Sequence, residues 1–371
     1  MSHAAIDRDF DDHVAAIREF LRIPSVSAGD GDLRPAAAAV RGLIERAGGR
    51  VIAEETGELR PSLIGVIEGP PPTVMRYGMY DVQPPGSGWT RDPFSAELTE
   101  GLIYARGAAN SKAALAAGLL VFASAPSPCR QVLLMEGEEE LGSPRLETFV
   151  AAHRDELRAD WALDFDLAEE DDGSAPVVAG CKGLHELELQ AGNGVDVHSA
   201  YVGEVPAPAT DLARAIVALQ EAVPAANVTW MLAGTPEDES RTVIPGSARA
   251  GVDLRFDDGG DALLARVRDI LPAGVQLVVK GTYAPATAPV DSPPVLAMAN
   301  AMRRHGTRPA IAAQAPWWGP YHLFGAPFAS GGPGRSGGQH GPDEWCEVEG
   351  LRLLMHVLLD TVTELAEAPL P

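Results

Sequence analysis

Phe10, Val14, Ile17 and Leu21 recur three and four positions apart, the period of one helix face, and predict a helix over residues 8–22 that Pro24 ends. Pro35 suits a first helical turn and Gly48-Gly49 a helix end, so the two bracket a second helix. Short apolar runs between turn residues, at 62–67 and 73–77, read as strands. An Ala/Leu-rich stretch at 111–122 reads as a helix, and Gln131 to Met135 as a buried strand running straight into Glu136-Gly137-Glu138-Glu139-Glu140. A helix at 143–153 and a strand at 161–166, ending in acid, follow. Strands alternating with helices predict a mostly parallel α/β sheet covered on both faces, with its site at the C-terminal strand ends.

After about residue 182 the pattern changes. Residues 185–190 alternate as a half-buried strand does, and a helix (209–222) follows. Next come strands near Thr242 and at 248–256, a helix at 261–270 and a strand at 275–279, an order that matches a small ferredoxin-like α+β unit. A Pro-rich linker at 285–294 leads back to helix–strand–helix patterning. The predicted organisation is a catalytic domain in two parts, 1–181 and 285–371, with a lid domain, 182–284, inserted between them.

A chain of 371 residues exceeds one ordinary core, in line with two domains. Its 52 acidic against 29 basic residues give a net charge of -23, which argues against nucleic acid or an anionic membrane as partner. No apolar run is long enough to span a bilayer, and the acidic start lacks the pattern of a signal peptide. Three distant cysteines, Cys129, Cys181 and Cys346, fit reduced thiols rather than a disulfide framework. A cytoplasmic protein is expected.

Alone, the run from Glu136 to Glu140 reads as a solvated acidic turn; behind a buried strand and ahead of a helix start, it falls in the ligand crevice of the sheet. With it stand Gly78-Met79-Tyr80-Asp81-Val82-Gln83-Pro84-Pro85, Ala105-Arg106-Gly107-Ala108-Ala109-Asn110-Ser111-Lys112, Gly180-Cys181-Lys182-Gly183, Asp196-Val197-His198-Ser199 and His340-Gly341-Pro342-Asp343-Glu344. In this order and spacing the set resembles the zinc amidohydrolase family of carboxypeptidase G, acetylornithine deacetylase, succinyl-diaminopimelate desuccinylase and the carnosine-type dipeptidases. The Tyr80-Asp81-Val82-Gln83-Pro84-Pro85 segment is most similar to the dipeptidase branch. The resemblance implies a zinc-aminopeptidase-like mixed sheet with helices on both faces, an inserted ferredoxin-like lid and a homodimer formed through that lid.

It also implies two zinc ions bridged by an Asp, and a Glu that deprotonates the attacking water. The water-activating Glu falls on Glu139, and carboxylate and His ligands on Glu140, Asp166 and His340. Two positions depart from the pattern: the first His ligand is Met79 and the bridging Asp is Asn110. A thioether is a soft neutral donor and an amide cannot bridge two dications as a carboxylate does. The expectation is therefore no full dizinc centre, and either no metal or one weakly bound Zn, Mn or Co ion. Asp81, which orients the His ligand in the family, has no His to orient here.

Pro316-Trp317-Trp318-Gly319-Pro320-Tyr321-His322 replaces a Gly- and Ser/Thr-rich grip, so Trp318, Tyr321 and His322 read either as an aromatic substrate wall or as core packing. His198 matches a lid His that enters the partner's site and steadies an oxyanion; the plainer reading is a structural His. Arg255 is a candidate for a substrate carboxylate or for a surface ion pair, and Asn110 for substrate contact. The catalytic set expected is Glu139, Glu140, Asp81 and His198.

Three functions stay open. The first is metal-independent acid/base chemistry on a small, amide-bearing, amino-acid-like substrate: cyclisation, acyl transfer, elimination, epimerisation or repurposed hydrolysis. The second is single-metal dipeptidase or N-acyl-amino-acid amidohydrolase activity, and the third a binding or scaffold protein without turnover.

Overall fold

The computed structural model describes residues 3–201, 203, 205–234, 242–315 and 317–370. The chain divides into two compact units. The first comprises the chain up to Gly180, Thr287–Ala315 and everything from Gly319 onward; the second comprises Cys181–Ala286 with Trp317 and Trp318.

The first unit is built on an eight-stranded sheet. From edge to edge it runs Arg50–Glu54, Leu63–Ile67, Arg130–Glu136, Thr73–Met79, Trp161–Phe165, Phe328–Gly331, Ser174–Val178 and Arg308–Ala312. The middle four strands are mutually parallel, while the joins of Leu63–Ile67 with both neighbours and of Phe328–Gly331 with Ser174–Val178 are antiparallel. The sheet is thus mixed around a parallel centre, and its central strands are almost wholly buried, as helices on both faces require. Helix Lys112–Ser124 is apolar all round and packs against helices His3–Leu21, Arg34–Arg46 and Val348–Glu367. The first helix begins at His3, five residues before the predicted start, because Ile6 extends the apolar stripe of Phe10, Val14 and Ile17 by one more turn.

The second unit has its own core, with Leu187, Leu189, Leu212, Ile216, Val252, Leu254 and Val267 buried together. Its four-stranded antiparallel sheet runs Ala226–Ala233, Ser247–Phe256, Gly183–Gly192 and Val275–Tyr283, with helices Pro208–Ala222 and Gly260–Ile270. Taken in chain order, this is the ferredoxin-like arrangement. One strand corrects the sequence reading: the second is Ala226–Ala233, whereas the segment at Thr242 supplies only the two-residue strand Val243–Ile244, paired with Val197–His198. The missed strand is an edge with a single buried residue, so it carries little apolar signal.

Candidate active site

Because the central strands of the large sheet run parallel, their C-terminal ends deliver Met79 to Asp81, Glu139, Glu140 and Asp166 to one edge. Asp81 is fully buried, and its two oxygens accept the backbone N–H groups of Glu139 (3.2 Å) and Glu140 (3.1 Å). It thus fixes the short 3₁₀ turn Glu139–Leu141 that presents both carboxyls. Burial pushes the Asp81 carboxyl up to about 7.

Glu140 is held from three sides. Its Oε1 accepts from Asn110 Nδ2 at 3.0 Å and lies 3.1 Å from His340 Nε2, and its Oε2 accepts from Gln83 Nε2 at 2.9 Å. Asn110 Nδ2 is also 2.8 Å from His340 Nε2, so amide, carboxylate and imidazole close a triangle. The half-exposed His340 ring has its pKa raised by the hydrogen bond to Glu140.

Further carboxyls crowd beneath. Glu136 is buried, accepts the Tyr77 hydroxyl at 2.7 Å and is pushed by burial up to about 8. Burial, then Glu140 and Asp81, hold the Glu139 carboxyl well above the usual range. Asp164 accepts from Tyr321 Oη (2.6 Å) and Ser330 Oγ (3.2 Å), and burial raises it too. Asp166 accepts the Leu167 N–H at 2.9 Å, and burial lifts it to about 7.

One buried ion pair frames the Asn110 side. Glu344 Oε1 accepts the backbone N–H groups of Gly107 (3.1 Å), Ala109 (2.8 Å) and Asn110 (2.9 Å), while Oε2 accepts from Arg106 Nη1 at 2.6 Å. Arg106 Nη2 in turn donates to the carbonyl of His340 at 3.1 Å. That bond helps hold His340 at a φ of +61°, a left-handed conformation that costs a side-chain-bearing residue about 1 kcal/mol or more. Gly107, at φ +91°, tolerates no Cβ, which would sit 2.9 Å from Lys112 Cδ. Lys112 is itself buried, donates to the Ile23 carbonyl at 2.7 Å, and is pushed by burial down to about 7.

The remaining candidates are placed as follows. Met79 is buried at its strand end, opposite Glu136. Tyr321 is built into the core, and its ring lies 4.7 Å from that of Phe328. His322 is exposed; Pro316 lies outside the described residues. In the second unit, Trp318 packs on Tyr283 (4.7 Å) and donates to the Ala284 carbonyl (3.2 Å). His198, also there, is exposed, and its Nδ1 accepts the Ala200 N–H at 3.0 Å, which leaves the ring proton on Nε2. Arg255 carries a buried Nη1 that has no hydrogen-bond partner among the described residues.

Sequence reasoning assigned no role to Gln83, Arg106, Glu136 or Glu344. Arg106 and Glu344 both lie in the motif segments, but their partnership spans 238 positions and has no local signature.

Residues 76–364 match the sequence pattern of Peptidase_M20, the peptidase family M20/M25/M40. The chain belongs to this family. Among M20-type proteins it is similar to succinyl-diaminopimelate desuccinylase of Acidiphilium cryptum, 31% identical over 208 residues, which are 52% of this chain and 55% of that protein. The chain thus spans about half the length of the curated relatives it matches. Its fold is that of an M20 family metallo-carboxypeptidase from Sulfolobus solfataricus (TM-score 0.87, 24% identity, 96% of this chain and 100% of that one). Human carnosine dipeptidase 1 shares it as well (TM-score 0.82, 19% identity, 99% and 98% covered). Of the positions where an M20 metal centre is expected, Asn110, Glu140 and His340 meet directly. Among the described residues, no third His, Cys or carboxylate places a donor atom within 4.8 Å of both Glu140 and His340, so Asp166 is not gathered with them.

Proposed function

We propose that this M20 member acts on a small, amide-bearing, amino-acid-like substrate by acid/base chemistry that does not run through a dinuclear zinc centre. The observation that carries this reading is the triangle of Asn110, Glu140 and His340, in which a neutral amide donates to Glu140 and lies against His340, the two remaining ligands of one metal position. The donor set does not fit two bridged zinc ions: a thioether at Met79 and a neutral amide at Asn110 replace an imidazole and the bridging anion.

Glu139 is the proton-transfer group, partly exposed on its turn, with Asp81 positioning it from beneath. His198, with its proton on Nε2, suits donation to a developing oxyanion, from one protomer's lid into its partner's site. The unpartnered Arg255 Nη1 supports a carboxylate-bearing substrate. His322 and Trp318 would line the substrate, while Tyr321 supports Asp164. A homodimer through the second unit is supported by Val217, Trp230 and Met231, exposed large apolar residues on its helix and edge strand. Three buried cysteines, with no disulfide among the described residues, fit a cytoplasmic setting.

The 3.1 Å approach of Glu140 Oε1 and His340 Nε2 favours a second reading, single-ion amide hydrolysis, because two donors around one ion with bonds of about 2 Å lie about this far apart.

Elemental analysis of protein purified without chelator, beside a Met79→His/Asn110→Asp variant, separates the two. Metal-free natural protein and a variant filled with two zinc ions support the first reading. A stoichiometric ion in the natural protein, with activity abolished by chelator, overturns it in favour of the second. Tight binding of amino-acid derivatives with no turnover would leave a binding protein.

A further inference from the structure

A second cluster of metal-type donors lies in the first unit and shares no residue with the site above. Two helices each carry a His and an Asp one turn apart: His3 and Asp7 on His3–Leu21, and His356 and Asp360 on Val348–Glu367. Such a spacing puts both side chains on the same helix face. His305, capping the C-terminal end of helix Pro293–Arg304, adds a third imidazole.

The pairs are exchanged between helices. His3 Nε2 is 2.9 Å from Asp360 Oδ1, His305 Nε2 is 3.0 Å from Asp360 Oδ2, and His356 Nε2 is 3.1 Å from Asp7 Oδ1. The three rings pack on one another, with centroids 4.8 Å apart for His3 and His356, 5.1 Å for His3 and His305, and 5.6 Å for His305 and His356. Donor atoms of His3, His305 and Asp360 all lie within 4.8 Å of one another. The His356 Nε2 is buried and, despite its distance from Asp7, is not aligned for a hydrogen bond.

We propose that His3, His305 and Asp360 form a binding site for a borderline divalent transition-metal ion such as Zn²⁺, Co²⁺ or Ni²⁺, with the His356 ring packed alongside. Imidazole nitrogens with one carboxylate select these ions over Mg²⁺ and Ca²⁺, which require oxygen. The donors lie within 4.8 Å of one another, so a closure of at most about 1.5 Å brings them to the separation of about 3.3 Å that tetrahedral bonds of about 2 Å demand. His3 allows it, being at the first turn of its helix and about one-third exposed. Metal entry replaces the protons between imidazole and carboxylate. It competes with Arg304, whose Nε is 3.4 Å from Asp360, but the Arg304 guanidinium keeps a second partner in Glu364 at 2.8 Å. Asp7, likewise shared with Arg352 at 3.2 Å, lies outside the three-donor set.

The test uses the full chain stripped by chelator and titrated with Co²⁺ (visible d–d absorption) and Zn²⁺ (calorimetry). A Glu140→Gln/His340→Gln background removes the other donor pair, so the outcome is independent of the function proposed above. The expected result is one equivalent bound in that background, with the dissociation constant weakened at least tenfold by His305→Gln or by His3→Gln. The metal-induced rise in Tm should fall in parallel. His3→Gln changes a part-exposed residue at a helix start, so folding stays intact and the comparison stays readable. Absence of binding in the background variant, or equal affinity after both His substitutions, overturns the site.

Discussion

The first unit holds two gatherings of polar side chains built from opposite materials. Around Glu139 lie Asp81, Glu136, Glu140 and Asp164, with one imidazole and the amides of Asn110 and Gln83 against Glu140. Around Asp360 lie three imidazoles, with Arg304 at its edge and Asp7, Glu364 and Arg352 beyond. The contrast shows in two residues of the same type. Asp81 is pushed up to about 7 because burial dominates. At Asp360 burial pushes the same way, but the hydrogen bonds from His305 and His3 outweigh it, and the pKa falls below the ordinary value. Where carboxyls outnumber nitrogen donors, bound protons are the cheapest counter-charge, and the region becomes a proton store. Where imidazoles outnumber carboxylates, the cluster is close to neutral and open to a dication.

Four measurements break or sharpen that contrast. Glu139→Gln should lower kcat on the natural substrate by about 10²–10⁴-fold, the usual worth of a positioned acid or base; an unchanged kcat would remove Glu139 from the chemistry. Glu344→Gln leaves Arg106 as an uncompensated buried charge and should cost about 3–5 kcal/mol in denaturant unfolding; a loss under 1 kcal/mol would show that the loop does not hang on this pair.

Glu136→Gln tests the proton store directly. The folded pKa of about 8 exceeds the unfolded value of about 4.3, so between the two the folded chain keeps a proton that the unfolded chain has released. Stability from this group is therefore present at low pH and lost as pH rises towards 8, at about 1.4 kcal/mol per pH unit. The Gln variant should lack that slope and gain on the natural protein from about pH 5 to pH 8. Parallel stability curves would mean that Glu136 is ionised in the folded state. Tyr321→Phe should have the smallest effect, about 1 kcal/mol, because Ser330 still donates to Asp164; a several-fold change in KM with stability unaltered would instead make Tyr321 a substrate contact.

The sequence exposed those parts of the molecule in which neighbours along the chain share a face. Phe10, Val14 and Ile17 announce their helix, and the buried run before Glu136 announces a central strand. The Ala226–Ala233 edge strand escaped because one face is open and only Ala226 is buried. Motif residues such as Glu139, Glu140 and His340 were legible as positions, but not as the triangle that Asn110 closes with two of them. Asp81 was legible only as a carboxylate with no His to orient; its burial beneath two backbone N–H groups depends on a turn geometry that residue types alone do not encode. The His3, His305 and Asp360 cluster could not be read at all, since helix packing, not spacing, assembles it.

The loop from Gly107 to Asn110 hangs from Glu344, not from whatever occupies the space beside Glu140. Its position is therefore inherited separately from its chemistry. A lineage can exchange the side chain at 110 while the address of that side chain stays fixed, so new reactions become reachable through single steps that a folding-quality filter does not see. The buried Arg106–Glu344 pair is in this sense a device for evolvability, holding the bench steady while the tools on it change.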